Sequence, residues 1–392
     1  MVFDLSKVRL DTPTVNKLIH FNNAGASLIP LPVSAAVSCY FQMELERGGY
    51  ETEDYFAEEL NGFYTAAAKL ISAHPEEIAY IENATRAWDM VFYSLFFKAG
   101  DKILTTKAEY ASNYIALLQV AQKTGAVIEI IPNDHDGQLC ISSLKKMLTP
   151  NVKLISITHV PTQGGLINPA EEVGKLAQLH GAFYLLDATQ SVGQMPIEVN
   201  TLHCDALCAT GRKYLRGPRG TGFLYVKKSR IAELEPPFLD LKSATLVSKT
   251  QYTINPDATR FETWERNGSN MLGLKAAIEY ALSLDIEMTW ARIQTLSARL
   301  RDKLSSIPGV TVRDLGVNKC GIVTFTVDGI EAEDISAILR KKGINTSVSR
   351  AAYARLDFED RGLTSLVRAS VHYYNTDEEI DRFCEEILCL RK

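Results

Sequence analysis

Lys213 stands in Ala-Thr-Gly-Arg-Lys-Tyr-Leu-Arg-Gly-Pro-Arg-Gly-Thr-Gly (209–222), after a short apolar run and at the head of a glycine-rich loop. Arg212, Arg216 and Arg219 flank it. Neighbouring positive charge and partial desolvation lower a lysine's proton affinity, as an imine-forming amine requires. Upstream, Asp187 closes the run Phe-Tyr-Leu-Leu-Asp. A carboxylate beside a pyridine nitrogen holds that nitrogen protonated, and the protonated ring stabilises a carbanion at an amino acid's α-carbon. The pair points to a Schiff-base site for pyridoxal 5'-phosphate (PLP). Taken singly, each residue has a plainer reading: a solvated loop lysine, and an aspartate capping the next helix.

Further residues fall where such a site needs them. Glu82-Asn83-Ala84-Thr85-Arg86 joins a strand to an amphipathic helix. The backbone N–H groups at Ala84, the Thr85 hydroxyl and the Arg86 guanidinium would cradle a phosphate, unless the segment is only a helix cap. Thr210 and Arg212 could add phosphate contacts from the opposite side. Tyr110, in Ala-Glu-Tyr-Ala-Ser-Asn (108–113), could lay its ring on a cofactor's face or pack as a core tyrosine. Arg368 sits in an otherwise apolar strand pattern and must be paired there, either with an amino-acid carboxylate or in a structural salt bridge.

The elements that must position these residues read as α/β. Apolar runs at 77–81, 102–105, 127–131, 154–158, 183–186 and 206–209 alternate with helical patterns near 85–97, 111–124, 141–148 and 169–180. Short apolar strands between amphipathic helices predict a mostly parallel sheet covered on both faces, with ligands at the carboxyl ends of its strands. The run 220–226 follows Lys213 too closely for a helical crossover and is expected to join antiparallel. Helices are expected at 31–46, where Gly48-Gly49 stops the run, and at 53–72. After a polar, irregular tract at 228–265 come long helices at 268–284 and 287–305. A smaller α+β unit follows, with strands near 310–314, 320–327 and 366–373, a helix at 331–342 and a last helix from Asp377.

The chain has 392 residues, 46% hydrophobic and 23% charged, with net charge −5. That is long enough for a large and a smaller domain, and no basic stripe steers nucleic acid. The N-terminal Met-Val-Phe-Asp-Leu-Ser-Lys lacks the apolar run of a secretion signal, and the longest apolar runs are strand-sized. A cytoplasmic protein with no membrane partner is expected. The seven cysteines are scattered; Cys204 and Cys208 form C-x3-C with no second pair, so no metal site is expected.

The ordered set Asn-Asn-Ala-Gly (22–25), Asn-Ala-Thr-Arg (83–86), Glu-Tyr (109–110), Asp-Ala-Thr-Gln (187–190), Gly-Arg-Lys (211–213), Arg-Phe-Glu (260–262) and Arg-Ala-Ser-Val-His-Tyr-Tyr-Asn-Thr (368–376) resembles the class V aminotransferases. These are PLP enzymes of fold type I, among them cysteine desulfurases, selenocysteine lyases, isopenicillin N epimerase and C–S lyases. The resemblance covers nearly the whole chain. It implies a large domain (19–284) with a seven-stranded sheet, a small C-terminal domain (285–392) and an N-terminal arm (1–18) packing on the small domain. It further implies Lys213 as the Schiff-base lysine, Asp187 as the pyridinium partner, and Gln190 as donor to the phenolic oxygen. Thr85 and Thr210 match phosphate ligands, Tyr110 the ring-stacking position, and Arg368 with Asn23 the substrate-binding side. A homodimer with shared sites is implied, residues near 260–268 reaching the partner's phosphate.

The departures narrow the activity. Desulfurases carry a nucleophilic cysteine between their two last strands, but the stretch 345–356 reads Asn-Thr-Ser-Val-Ser-Arg-Ala-Ala-Tyr-Ala-Arg-Leu. Without that thiol a persulfide mechanism has no acceptor. Arg212 replaces the usual histidine, and Thr162 stands where an asparagine is expected. Gly-Arg-Lys-Tyr-Leu-Arg-Gly-Pro-Arg-Gly with Gly-Gly-Tyr (48–50) is nearer to hercynylcysteine sulfoxide lyase-like C–S lyases. The expectation is β-elimination of a cysteine-derived substrate through an external aldimine. Transamination or epimerisation on the same scaffold is the alternative, and a non-catalytic PLP-fold scaffold a third.

Overall fold

In the computed structural model, residues 3–390 are described. The first two residues of the expected arm and the last two of the expected small domain lie outside them. The apolar runs of the first half become one seven-stranded sheet in the order Ile78–Ile81, Gly222–Val226, Ala206–Thr210, Phe183–Asp187, Val152–Thr158, Lys102–Thr106, Val127–Ile131. Gly222–Val226 runs antiparallel to both neighbours, and the other pairings are parallel. The strands Phe183–Asp187, Ala206–Thr210 and Gly222–Val226 are buried along their whole length. That is why their sequences run apolar instead of alternating.

Helices cover both faces. Ala84–Phe92 and Ala111–Thr124 bury Trp88, Phe92 and Leu117 against one. Ala57–Ile71, Ala170–His180 and Gly268–Ser283 bury Phe63, Val173 and Leu274 against the other. Each large side chain removed from water contributes on the order of 2–3 kcal/mol. A second core forms between the antiparallel sheet Val310–Val312, Ile322–Val327, Ser365–Ser370, Ser347–Arg350 and the helices Ile286–Ser305, Ala332–Lys341 and Asp377–Cys389.

The N-terminal segment belongs to that second core. Val8 of the helix Leu5–Leu10 is buried in it, and Arg9 pairs with Glu379 at 2.8 Å. Ile19–His20 then pairs in parallel with Ile344–Asn345, and Asn22 bridges to Ser370. Residues 22–27 are thereby carried from the second sheet to the edge of the first.

Several elements differ from expectation. Gly48 (φ +98°) caps Leu31–Arg47 where the glycine pair was expected to stop it, but the helix expected over 53–72 is two, Gly49–Tyr55 and Ala57–Ile71. The polar tract holds a hairpin, Ala244–Ser248 with Gln251–Ile254. Ser347–Arg350 and Arg355–Asp360 are a strand and a helix where sequence reading offered none, because neither is long or apolar enough to show a period. Among the described residues, no helix is long and apolar enough to cross a membrane.

Candidate active site

Five strand ends meet at one edge of the large sheet, because parallel strands deliver their last residues to the same side. Thr158 lies beside Asp187, and Asp187 beside Cys208, in register. The cleft above them encloses about 580 Å³ of space, open to solvent. Of the residues expected at the site, Ala84, Thr85, Tyr110, Thr162, Asp187, Gln190, Thr210, Arg212 and Lys213 line it.

Lys213 is partly open to this cleft, but its amine is ringed by protein. Burial and then the Arg212 charge push its pKa down to about 7; Asp187 opposes them and Arg368 adds to them. Near neutral pH a large fraction of the amine is therefore free base, fit to act as nucleophile or proton acceptor. Its turn is stapled from behind. The Arg216 N–H donates to the Lys213 carbonyl at 2.9 Å, and the fully buried Arg216 guanidinium donates to Leu28 O (2.8 Å), Tyr373 OH (3.0 Å) and Thr12 Oγ1 (2.5 Å).

Asp187 is buried, and both its oxygens accept. The Thr189 N–H donates to Oδ1 at 2.9 Å, and Asn113 Nδ2 to Oδ2 at 3.0 Å. The same Nδ2 donates to Glu109 at 2.9 Å. Glu109 also accepts from Thr158 (2.7 Å), Thr105 (2.9 Å) and the Tyr110 N–H (2.8 Å). Burial raises its carboxyl to about 7, and the Asp187 charge adds to this. Sequence reading took Tyr110 from this motif and missed Glu109 and Asn113. Their i,i+4 spacing across a strand-to-helix turn was the available signal.

Arg368 does not line the cleft directly, but donates through its wall to Thr162. Nη1 reaches Thr162 Oγ1 and, at 3.3 Å, Thr162 O; Nη2 reaches Ser347 (3.3 Å) and Asn22 Oδ1 (3.5 Å). None of these partners carries a charge, and its Nε is buried without a partner. Burial, with Arg212 nearby, lowers its pKa to about 10. Gln190 donates to Ala24 O at 3.0 Å and to Thr162 Oγ1 at 3.4 Å, leaving its amide oxygen buried and unpartnered.

Asn23 and Arg86 do not line the cleft, and Arg212 and Arg260 donate to backbone carbonyls. Asn23 is completely buried outside the cleft, its amide engaged by His20 O, Ser370 O and the Tyr374 hydroxyl. Asn22 is the neighbour whose side chain reaches Arg368. Arg86 turns its guanidinium out over the Phe238 ring (4.6 Å), and its N–H bonds the Asn83 cap. The Arg212 guanidinium donates to Gly25 O, beside the Asn22–Ser27 segment. Arg260 is engaged by the backbone carbonyls of Asn255, Ile231 and Leu234.

These residues fit a phosphorylated aromatic aldehyde. The helix Ala84–Phe92 opens onto the cleft, and a Cβ at Gly222 would clash with the Ala209 carbonyl oxygen. The bare glycine backbone is what lets its strand pair with the one that ends in Thr210. The partnerless Gln190 oxygen and Thr189 hydroxyl mark polar positions that the protein leaves unfilled.

A family profile described as aminotransferase class-V matches residues 19–383. The chain is 30% identical to a protein of Xylella fastidiosa described as a probable cysteine desulfurase, over 99% of this chain and 96% of that one. A protein of Pyrococcus abyssi with the same description is 31% identical, over 96% and 95%. Among solved structures, the apo cysteine desulfurase of Thermococcus onnurineus superposes with a TM-score of 0.92 at 30% identity, covering 98% of this chain and 97% of that one.

Proposed function

The chain belongs to the class-V aminotransferase family, and on that premise we propose that it is a PLP-dependent lyase that breaks the C–S bond of a cysteine-derived amino acid by β-elimination. The observation that carries this reading is the Lys213 amine, pushed down to about 7 beside the doubly hydrogen-bonded Asp187.

Thr85, Thr210 and the N–H groups at Ala84 would hold the phosphate, Tyr110 would cover the ring, and Asp187 would meet its nitrogen. Bound there, PLP supplies a carbonyl that condenses with amines and a ring that accepts the electron pair left at the α-carbon. Arg368 pairs with the substrate carboxylate, the anion its neutral partners do not supply. Lys213 takes the α-proton, the sulfur departs as thiolate with the C–S electron pair, and the lysine ammonium returns a proton to it. The thiol is one product, and the enamine acid left after elimination takes up water to give pyruvate and ammonia.

The relatives described as desulfurases make sulfur transfer the natural competitor. Such a transfer needs a protein thiol at the substrate, and among the described residues that line this cleft there is none. Cys204, Cys208, Cys320 and Cys384 are buried; Cys39 and Cys389 are exposed, and Cys140 is partly so. Free cysteines also support a cytoplasmic setting.

A second copy of the chain would complete the site. Tyr110 lines the cleft and is exposed, as are Ile115 one turn on, Phe238 under Arg86 and Trp264, whose N–H bonds Asp240. A homodimer would cover that apolar area.

The test is a panel of S-substituted cysteines, assayed for pyruvate and ammonia. Release of both from at least one substrate is expected; absence of both across the panel would overturn the reading.

A further inference from the structure

Asn113 bridges two carboxylates with a single NH2 group. Its Nδ2 donates to Asp187 Oδ2 at 3.0 Å and to Glu109 Oε1 at 2.9 Å, and all three residues are at most 6% exposed. Reversing the amide would turn its oxygen toward two acceptor-only groups, so Glu109 dictates which end of Asn113 meets Asp187. Glu109 is itself fixed by the Thr158 and Thr105 hydroxyls and the Tyr110 N–H. Four donors to one buried carboxylate exceed what anchoring a strand-to-helix turn requires.

We propose that Glu109 and Asn113 are positioning residues that hold the Asp187 carboxylate in the orientation and charge state that keep a pyridine nitrogen protonated. The proposal rests on the PLP reading above. With Thr189 N–H on Oδ1 and Asn113 on Oδ2, both oxygens of the carboxylate are held and it cannot rotate away from the cleft. The Asp187 charge sits close enough to Glu109 to help burial raise the Glu109 carboxyl to about 7. Above that pH the second negative charge reinforces the proton on the nitrogen. Of the other titratable groups, the Cys208 thiol feels both charges and is pushed up chiefly by burial, while the His159 ring bonds Ser191 and burial pushes it down to about 4. Lys213 and the Tyr110 phenol face the two carboxylates from the cleft.

The experiment loads wild type, Glu109→Gln, Asn113→Leu and Asp187→Asn with PLP labelled with 15N in the ring, and follows the nitrogen's chemical shift against pH. PLP affinity and urea unfolding are measured on the same samples. The proposal expects the nitrogen's apparent pKa to fall by about one unit or more in Glu109→Gln and Asn113→Leu. It expects Glu109→Asp, which keeps an acceptor-only charge, to recover part of that fall. A nitrogen that moves in Asp187→Asn but not in the other two overturns the relay alone. Failure of wild type to bind PLP overturns the PLP reading, whereas a nitrogen that Asp187→Asn leaves untouched overturns the meeting of Asp187 with the ring nitrogen, and the relay with it. If Asn113→Leu does not fold, Asn113→Ser removes the same amide with less bulk.

Discussion

The Arg216 N–H donates to the Lys213 carbonyl at 2.9 Å while the Arg216 guanidinium reaches Thr12, Leu28 and Tyr373. One residue therefore ties the turn carrying the reactive amine to the N-terminal segment and to the last third of the chain. It does so in the left-handed region (φ +61°), which costs a non-glycine residue about 1–2 kcal/mol. Arg216→Gly relieves that backbone cost and deletes the guanidinium. A net loss of on the order of 3 kcal/mol is expected, because hydrogen bonds from a charged donor outweigh the relief. Urea unfolding measures it, and an unchanged midpoint would contradict the staple.

In the cofactor-free protein the contributions of Glu109 and Lys213 to stability have opposite slopes against pH, which meet near pH 7. Glu109 is raised from 4.5 to about 7, so between those values the native state holds a proton the unfolded chain has lost, and stability falls as pH rises. Lys213 is lowered from 10.5 to about 7, so above pH 7 the unfolded chain holds the extra proton and stability recovers toward pH 10. The limbs correspond to roughly 3 kcal/mol for Glu109 and at most about 4–5 kcal/mol for Lys213, whose cleft admits some water. Glu109→Gln should flatten the acid limb and Lys213→Met the alkaline one, in urea midpoints at pH 5, 7 and 9.

Arg368 should act through the substrate's carboxylate. Arg368→Met is expected to raise KM for amino-acid substrates about 10- to 100-fold, the worth of charge-assisted hydrogen bonds to one anion. Binding of an amine analogue lacking the carboxylate, followed by the change in cofactor absorbance, should be unaffected. Equal losses for both compounds would assign Arg368 a purely structural role.

Thiol alkylation separates elimination from sulfur transfer. Iodoacetamide reaches the exposed Cys39 and Cys389 and the partly exposed Cys140, none of which lines the cleft. Turnover after modification should stay within about twofold of the untreated enzyme, whereas a persulfide mechanism requires a thiolate and would be abolished. Product release before and after alkylation decides between them.

The part of the site legible in the sequence was the part written along single strands. Asp187 and Thr210 end apolar runs, and Lys213 follows one, so the break in pattern located them. What pairs across the fold was not legible. Asn113 meets Asp187 across 74 positions, and nothing in either local sequence marks the other. Asn22 and Asn23 are identical in type and adjacent. Only the pairing of Ile19–His20 with Ile344–Asn345 decides which of them turns toward Arg368 and which is buried under Tyr374. The stop at Gly48 was legible, whereas the division of the next helix at Phe56 was not, since no glycine or proline marks it. Fold class came through well, since burial on both faces leaves a continuous apolar imprint on a strand.

The route of residues 19–27 bears on how the protein is made. The Asn22–Ser27 segment bounds the cleft through contacts with Arg212, Gln190 and Arg368, and the Phe21 backbone that leads into it is held by Asn345 and Ser370. Those last two residues leave the ribosome more than three hundred codons after Phe21 does. During synthesis the large sheet can assemble while this early segment waits, unpaired, for strands not yet translated. A chain stopped short of Ser370 would carry Lys213, Asp187 and the phosphate cradle but an unfinished cleft wall. Competence for chemistry therefore arrives with the last stretch of translation, and not with the sheet that bears the reactive lysine.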